Sequence, residues 1–401
     1  MHVLAVNQFY APDHSATSQL LTELCDALVE GGDSVTVVAS SGTYLGGARL
    51  AARETLNGVE VRRVGATSLG KRTVAHRLAD YGSFGALALA ELAGVPRPDV
   101  ILTLTTPPML AVVAAVVARA RGVPLVTWIQ DVYPEVAVAF GVLGANHPAT
   151  RALELAARAS HRAARLGVVL SEGMASRVVA QGQRADRLRV IPNWSDSALI
   201  APVAPQWNTF RREHGLEDRF VAMYSGNLGA GHELLPFVEA ARRLEASRPD
   251  LVFAFVGDGV RRASTQASAR GLRNVRFFPY QPRERLAESL SAADVHLASL
   301  QEGLDGLLVP SKLYGVLAAG RPLLYAGPAA CELSRVIERD RLGWRVPPGD
   351  VTAIVEALTT ATTDAAATRA MGERARAVFL AQYDRSLAVA RWRAVLTEAV
   401  S

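Results

Sequence analysis

The sequence predicts an α/β protein made of two Rossmann-like domains. Its 401 residues exceed the size of one hydrophobic core, which rarely grows past about 250–300 residues. Short β-branched runs alternate with helical patterns through the first half, and the alternation restarts at "FVAMYSGN" (220–227). Runs such as "DVILTLT" (99–105) are almost wholly apolar, as in parallel strands buried on both faces. Together these patterns favour two doubly wound parallel sheets.

The element pattern is similar in the two halves. Predicted strands of the first half lie at 2–7, 34–40, 59–65, 99–105, 125–131, 166–172 and 187–193, with helices at 15–31, 72–94, 108–121 and 148–165. Predicted strands of the second half lie at 220–227, 251–259, 275–280, 294–300 and 322–327, with helices at 232–246, 261–270, 283–291, 311–319 and 329–339. Three further helices are predicted at 350–361, 364–382 and 384–399. Residues 195–210 contain two prolines and little periodicity, which indicates a linker.

Composition excludes several classes of protein. The net charge is +5, the arginines are scattered and aromatic residues make up 6%, so the basic stripe of a nucleic-acid-binding protein is missing. Cys25 and Cys331 have no metal or redox spacing, which predicts two buried thiols. The opening "MHVLAVNQFYAPD" lacks the features of a signal peptide, and the run from Met109 to Ala118 is too short to span a membrane. We therefore expect a cytoplasmic protein.

Two glycine-containing turns follow predicted strands of the second half. "SGNLGAG" (225–231) and "VGDG" (256–259) let the backbone approach a ligand, and free amides there would suit an anion. The alternative is that these glycines serve only the turns. Neither matches G-x-G-x-x-G at the first turn, which counts against an ordinary NAD-dependent enzyme.

Lys312 is unusual because the chain has only two lysines, Lys71 and Lys312, against 41 arginines. Pro310 precedes the predicted helix, with Ser311 as its expected N-cap, so Lys312 falls in the first turn. A cation there opposes the helix dipole by about 0.3–1 kcal/mol, whereas a bound diphosphate would reverse the sign. The alternative is a solvated surface lysine, although arginine would serve a surface equally well.

Several motifs occur in an order that is specific to one family. They are "FYAPDHSATSQLLTELCDALVEGGDSVTVVAS", "WIQDVYPEVAVAFGVL", "VIPNWSD", "YSGNLGAGHELLPFVEAARRL", "FVGDG" and "VPSKLYGVLAAGRPLL". Over nearly its whole length the chain resembles the retaining GT-B glycosyltransferases of family 4. It is most similar to their WbuB-like branch, which builds O-antigen, capsule and exopolysaccharide.

The resemblance implies the GT-B fold, with two Rossmann-like domains facing a cleft. The N-terminal acceptor domain would span 1–197, the linker 198–210 and the nucleotide-sugar domain 211–381. Residues 382–401 would form a helix that returns to the first domain. No metal or other cofactor is implied, since cations and amides of the protein would stabilise the leaving diphosphate.

The resemblance also implies roles for individual residues. Lys312, Asp131 and Gln130 are the candidate catalytic residues. The candidate donor-binding residues are Gly226, Asn227, Gly229, Gly257, Asp258, Phe278, Tyr280, Glu302, Ser311 and Leu313, with the backbone near Phe278 and Tyr280 holding the base. The candidate acceptor-binding residues are His14, Ser15 and Glu135. Asp131 has an alternative role, because Asp is also favoured as a helix cap.

The chain departs from the wider family at three places. The two family glutamates, eight residues apart, correspond to Leu307 and Gly315, and Glu302 and Asp305 are the nearest carboxylates. An arginine and a lysine usually follow the glycine loop, where "NLGAGHELL" offers only Asn227 and His232. Gln130 replaces a histidine found in many relatives. The second departure, with two cations missing, leaves Lys312 as the main expected cation for the diphosphate.

The expected function is retaining transfer of a sugar, with a UDP-sugar as the favoured donor, to a glycan or lipid-linked acceptor in surface polysaccharide biosynthesis. Tailoring of a small secondary metabolite and nucleotide-sugar 2-epimerisation are the alternatives on this fold. A non-catalytic two-domain binding protein is a third.

A membrane contact is one further expectation. Residues 71–92 begin with Lys71 and Arg72 and end apolar, so this helix would suit the anionic cytoplasmic leaflet if the acceptor is a lipid. The alternative is an amphipathic helix packed on its own domain.

Overall fold

The computed structural model describes residues 1–43, 49–67 and 74–401. The chain divides into two compact units. The first consists of Met1–Pro192, Gly306–Val309 and Ala388–Ser401, and the second of Asn193–Asp305 and Pro310–Leu387. The domain boundaries inferred at 197, 210 and 381 stay predictions. Lys71 and Arg72, at the start of the proposed membrane segment, lie outside the described residues.

The first unit is built on a largely parallel sheet. Its strands are β1 (His2–Val6), β2 (Ser34–Ser40), β3 (Arg53–Leu56), β4 (Val59–Val64), β5 (Val100–Leu104), β6 (Leu125–Trp128), β7 (Leu166–Val169) and β8 (Leu188–Val190). Among the described residues the strand order is β3-β4-β2-β1-β5-β6-β7-β8, and only the β3–β4 pair is antiparallel. Its helices are α1 (Ala16–Glu30), α2 (Val74–Gly94), α3 (Leu110–Arg121), α4 (Glu135–Ala139), α5 (Pro148–Ala163) and α6 (Glu172–Ala180). Strands β1, β5 and β6 are buried along nearly their whole length, as their continuous apolar runs predict.

The end of the chain completes the first unit. The last helix, which is numbered α15 in chain order, spans Arg385–Val400. Its Trp392 ring lies 4.6 Å from the ring of Trp128, and Arg393 donates from Nη2 to the carbonyl of Ala27 at 2.9 Å. The prediction that the final helix returns to the first domain is therefore confirmed.

The second unit is also a parallel α/β structure. Its strands are β9 (Phe220–Ser225), β10 (Leu251–Val256), β11 (Val275–Phe278), β12 (Val295–Ser299), β13 (Leu323–Ala326) and β14 (Gly343–Val346), in the order β11-β10-β9-β12-β13-β14. Its helices are α7 (Thr209–Glu213), α8 (Leu235–Leu244), α9 (Arg262–Ser268), α10 (Leu286–Ser291), α11 (Lys312–Ala318), α12 (Glu332–Asp340), α13 (Val351–Thr363) and α14 (Ala365–Gln382). Because every strand pair is parallel, the carboxyl ends of the strands share one edge, and the loops after β9 and β10 lie side by side.

Several elements differ from their sequence-based prediction. The strand β3 was missed because "RETL" is polar and lies exposed at the sheet edge, and β14 was missed because it is short and begins with glycine. The helices α4, α6 and α7 were missed because they are only five to nine residues long. The strand predicted at 166–172 ends at Val169, since the Oγ of Ser171 accepts a hydrogen bond from the Met174 amide and caps α6.

The helix α2 packs on its own unit through Phe84, Ala88 and Leu92, which are fully buried. This packing favours the alternative to membrane contact. No helix among the described residues is long and apolar enough to cross a membrane.

Candidate functional site

Lys312 begins the helix α11, which has seven residues and is shorter than predicted. Ser311 occupies the predicted N-cap position, but it has helical torsion angles (φ −65°, ψ −16°) and its side chain makes no capping hydrogen bond. The Leu313 amide already reaches the Pro310 carbonyl at 3.5 Å. The local case for phosphate binding therefore rests on the Lys312 side chain rather than on helix amides.

The Lys312 ammonium lies in a cluster of neutral acceptors, which we call the Lys312 cluster. Its Nζ lies 2.7 Å from the Tyr224 hydroxyl, 3.2 Å from the Asn227 carbonyl oxygen and 3.1 Å from Nε2 of His232. It also lies 4.4 Å from the centre of the Tyr224 ring, in a cation–π contact. Among the described residues, no carboxylate lies within ion-pair distance of this ammonium. The lysine is therefore not a solvated surface residue, and its charge is not paired with an acidic side chain.

The hydrogen bonds of the cluster define the state of His232. Its Nδ1 lies 2.6 Å from the Ser299 carbonyl oxygen, which can only accept, so Nδ1 carries the proton. Nε2 is then a lone pair that accepts from Lys312. Tyr224 donates its hydroxyl proton to the Asn227 carbonyl at 2.8 Å, which leaves a hydroxyl lone pair for Lys312. The three N–H groups of the ammonium thus meet three acceptors.

Burial controls the ionisation of the cluster. Removal of water lowers the pKa of Lys312 from 10.5 to about 7. Burial and then the neighbouring Lys312 charge lower the pKa of His232 to about 3. Burial raises the pKa of Tyr224 well above 10. Near neutral pH the histidine and tyrosine are therefore uncharged, while the lysine is present in both its charged and its neutral form.

The two glycine turns pack against each other and against Lys312. Gly226 has φ +121°, and a Cβ added there would come within 3.0 Å of Lys312 Cε. Gly257 has φ +125°, and its Cβ would lie 2.2 Å from the Gly226 carbonyl oxygen. Each of these positions therefore requires glycine, for conformation and for space.

The expectation of free amides in these turns is wrong for Gly226 and Gly257. The Gly226 amide donates to Val256 O at 2.9 Å, and the Gly257 amide donates to Phe278 O at 3.0 Å. These glycines thus place the loop beside Lys312 without offering their own N–H groups.

The other predicted donor-binding residues of this unit differ in exposure. The Phe278 ring is buried against Phe210, whereas Tyr280 is 47% exposed and its hydroxyl donates to the Asp258 carbonyl at 3.2 Å. Gly229 is partly exposed, and a Cβ there would lie 3.0 Å from Asn227 Nδ2. Glu302 is exposed. The donor-binding roles of all these residues stay predictions.

In the first unit, Asp131 and Gln130 follow the end of β6. Thr127, Ile129 and Asp131 line one cavity of about 40 Å³. Burial raises the pKa of Asp131 from 3.8 to about 6. The helix-capping alternative for Asp131 is wrong, because α4 has Pro134 as its N-cap. Of the two candidate catalytic residues of this unit, Asp131 lines this cavity, whereas Gln130 is buried and does not line it.

Glu135 is partly buried and is hydrogen-bonded to Gln181, which lines the same cavity. The Nε2 of Gln181 donates to Glu135 Oε2 at 2.5 Å, and Gln181 Oε1 lies 2.8 Å from His161 Nε2. His161 also lines the cavity, and the structure gives its Nδ1 no hydrogen-bond partner among the described residues. Burial lowers the pKa of His161. The Glu135 carboxylate is thus held by Gln181, which limits its freedom to contact an acceptor.

The remaining acceptor candidates precede α1. His14 is exposed, and Ser15 occupies the N-cap position without making a side-chain capping hydrogen bond. The Ser15 amide instead donates to Asp13 Oδ1 at 2.8 Å. Their roles stay predictions.

Sequence reasoning did not single out Tyr224 or Arg261. A tyrosine at the carboxyl end of the apolar strand "FVAMYS" was the available signal for the first. Arg261 reaches the glycine loop, where its Nη2 donates to the Ala230 carbonyl at 3.0 Å. Nothing distinguished it among 41 arginines.

Comparison with known proteins agrees with this architecture. Residues 16–194 match the model of the glycosyl transferase 4-like domain, and residues 206–378 match that of the glycosyl transferases group 1. The Lys312 cluster lies within the second match.

Two curated relatives share about 30% identity with the chain. The probable glycosyltransferase WbjE of Pseudomonas aeruginosa is 30% identical over 260 residues, which is 64% of each chain. The putative colanic acid biosynthesis glycosyl transferase WcaI of Escherichia coli K12 is 30% identical over 271 residues, 65% of this chain and 66% of the relative. The matched region thus spans just under two thirds of either relative.

Solved structures show the fold. Anabaena HepE in complex with UDP-glucose superposes with a TM-score of 0.73 at 16% identity, over 99% of this chain and all of that one. Sucrose-phosphate synthase from Thermosynechococcus elongatus gives 0.79 at 16% identity, over 99% and 98% of the two chains. The chain has the GT-B fold, and its two halves match the glycosyl transferase 4-like domain and the glycosyl transferases group 1 domain.

Proposed function

We propose that the protein is a retaining glycosyltransferase that moves a sugar from a UDP-sugar to a glycan or lipid-linked acceptor in surface polysaccharide biosynthesis. The observation that carries this proposal is the Lys312 cluster, in which a desolvated ammonium has neutral acceptors on its inner side and no neighbouring carboxylate among the described residues. Such a cation is stabilised by an incoming anion. The complexes of HepE with UDP and UDP-glucose support a UDP-linked donor.

The proposed chemistry places growing negative charge beside Lys312. The bond between the anomeric carbon and the diphosphate oxygen breaks, and the acceptor oxygen bonds to that carbon on the same face of the sugar. The acceptor proton passes to the departing diphosphate. Lys312 stabilises the charge on that diphosphate in the transition state, which replaces the role that a metal ion would have. Metal independence is part of this proposal.

The first unit would supply the acceptor side. Asp131 and Gln130 are the proposed catalytic residues there, with His14, Ser15 and Glu135 as proposed acceptor contacts. The names of WbjE and WcaI support a glycan acceptor in polysaccharide assembly, and the WbuB-like branch is the proposed assignment within the family. Peripheral contact with the cytoplasmic membrane surface through 71–92 is proposed only for a lipid-linked acceptor.

Release of nucleoside diphosphate tests the proposal. The full chain is incubated with a panel of UDP-, GDP- and ADP-sugars, each with and without lipid-linked and free glycan acceptors. We expect UDP release that depends on an acceptor. Acceptor-independent conversion of a UDP-sugar to its 2-epimer would support the epimerase instead, and binding of a nucleotide sugar without turnover across the panel would support a binding protein.

A further inference from the structure

The Lys312 cluster contains a residue whose placement is not explained by the proposed chemistry alone. His232 joins two parts of the second unit, because Nδ1 contacts the Ser299 carbonyl at the end of β12 and Nε2 contacts Lys312 at the start of α11. Its neighbour Glu233 reinforces the anchor, since the Glu233 amide donates to Ser299 Oγ at 3.1 Å. The imidazole is therefore fixed at one end and accepts from the ammonium at the other.

We propose that His232 is a positioning residue, which holds the Lys312 ammonium in place for the donor diphosphate through its Nε2 lone pair. The inference rests on the proposed function, because it assigns a role at the same donor site. Lys312 has a flexible four-carbon stem, and the cation must be fixed before the ligand arrives to contribute fully to binding. His232, Tyr224 and the Asn227 carbonyl fix it from three sides.

A neutral imidazole suits this role better than a carboxylate does. A carboxylate would fix the ammonium more strongly, but it would neutralise the cation and repel the diphosphate. The imidazole accepts a hydrogen bond and adds no charge. Its protonation is disfavoured on geometric grounds as well, because a second N–H would point at the ammonium.

The surroundings of the pair keep it in this state. Among the described residues, the titratable and charged groups near the pair are Tyr224 from β9, Arg261 from the loop before α9 and Tyr280, which lies near Tyr224. None of these supplies a negative charge near neutral pH. A bound diphosphate is then the anion that the cluster lacks.

Two substitutions separate the contact with Lys312 from the anchor on Ser299. Asn places its amide near the position of Nδ1, so His232→Asn keeps the donor to Ser299 O and loses the acceptor for Lys312. Gln extends to the position of Nε2, so His232→Gln keeps an acceptor for Lys312 and loses the short anchor. The two variants are matched in polarity and are both uncharged.

The measurement is UDP binding by isothermal titration calorimetry at several pH values, with thermal unfolding as a control for folding. We expect His232→Asn to weaken UDP binding about 10-fold or more and His232→Gln to weaken it about 3-fold or less, because hydrogen bonds to charged groups are the stronger ones. We also expect the pH at which affinity falls to be lower in His232→Asn than in native protein, since the ammonium loses an acceptor. A purely structural role for the anchor would not move that pH.

The outcomes separate this inference from the proposed function. If the native protein binds no UDP, UDP-linked donor binding itself fails. If the native protein binds UDP but His232→Gln binds it more weakly than His232→Asn does, His232 acts through its hydrogen bond to Ser299. That result overturns the inference. The inference is also overturned if both variants fold and bind UDP with the same affinity, whether that affinity is close to the native value or much weaker.

Discussion

Replacement of Lys312 by methionine should weaken donor binding while making the ligand-free protein more stable. Methionine keeps an unbranched stem of similar length and removes the charge. A hydrogen bond between charged groups contributes about 1.5–3 kcal/mol. At about 1.4 kcal/mol for each factor of ten, UDP should bind about 10- to 100-fold more weakly to Lys312→Met.

The stability effect has the opposite sign because the ammonium is desolvated. The pKa of Lys312 falls from 10.5 in the unfolded chain to about 7 in the folded protein, which at about 1.4 kcal/mol per unit corresponds to at most about 4 kcal/mol at pH 7. Loss of three hydrogen bonds and partial exposure of the side chain reduce the expected gain in the free energy of unfolding to about 1–3 kcal/mol. The destabilisation of the folded protein by the buried Lys312 charge is fully present below pH 7 and disappears as the pH rises to 10.5.

The assay compares native protein, Lys312→Met and Lys312→Arg by urea unfolding without ligand and by calorimetric titration with UDP. Arginine retains a cation but matches the three acceptors poorly, so its UDP affinity should lie between those of the other two. Unchanged UDP affinity in Lys312→Met would refute the assignment of the diphosphate to this cluster. Lower stability of that variant at pH 7 would show that the ammonium is not desolvated as described.

Three further predictions concern the same sites. UDP binding at pH 8 should take up protons, because the diphosphate raises the pKa of Lys312 above about 7, and a binding enthalpy that is the same in Tris and HEPES would contradict this. Gly226→Ala should lower the free energy of unfolding by about 1–3 kcal/mol and weaken UDP binding. Gly271→Ala is the control, because Gly271 has φ +86° with open space around it. This variant should lower the free energy of unfolding and leave UDP binding unchanged. Asp131→Asn should raise stability by at most about 3 kcal/mol at pH 8 and by about 0.5 kcal/mol at pH 4, because the pKa of Asp131 rises from 3.8 to about 6 and the free-energy penalty on ionisation grows between these two values. Urea unfolding at both pH values measures this, and an equal difference at the two pH values would contradict it.

The two sheets were predictable because their buried strands have continuous apolar runs and their crossover helices have clear periodicity. The strands "HVLAVN", "DVILTLT" and "LVFAFVGDG" each correspond to a parallel strand, shorter by a few residues. The polar edge strand β3 carries no such signal, because its residues face solvent. The predicted strands extend too far where the following turn begins with a residue that is also favoured in strands, as at Leu170.

The candidate site was predictable in part. Composition pointed to Lys312, and the structure surrounds that lysine with contacts that a single sequence does not reveal. Tyr224 lies 88 residues before Lys312 and His232 lies 67 residues before Ser299, and these groups meet only because β9 and β12 are neighbours in the sheet. The amides of Gly226 and Gly257 were misjudged because a glycine motif does not show which N–H groups the second loop already uses.

The lowered proton affinity of Lys312 has a consequence for selectivity among anions. Above pH 7 the empty cluster is mostly uncharged, so it has little attraction for inorganic phosphate, sulfate or free carboxylates. A ligand must bring enough binding energy through its other parts to recharge the lysine. Under the proposed function, contacts to the base and the ribose of a nucleotide would supply this energy, and a small anion lacks those contacts. If Lys312 binds the donor diphosphate as proposed, the need to protonate the lysine would therefore favour a nucleotide over a small anion.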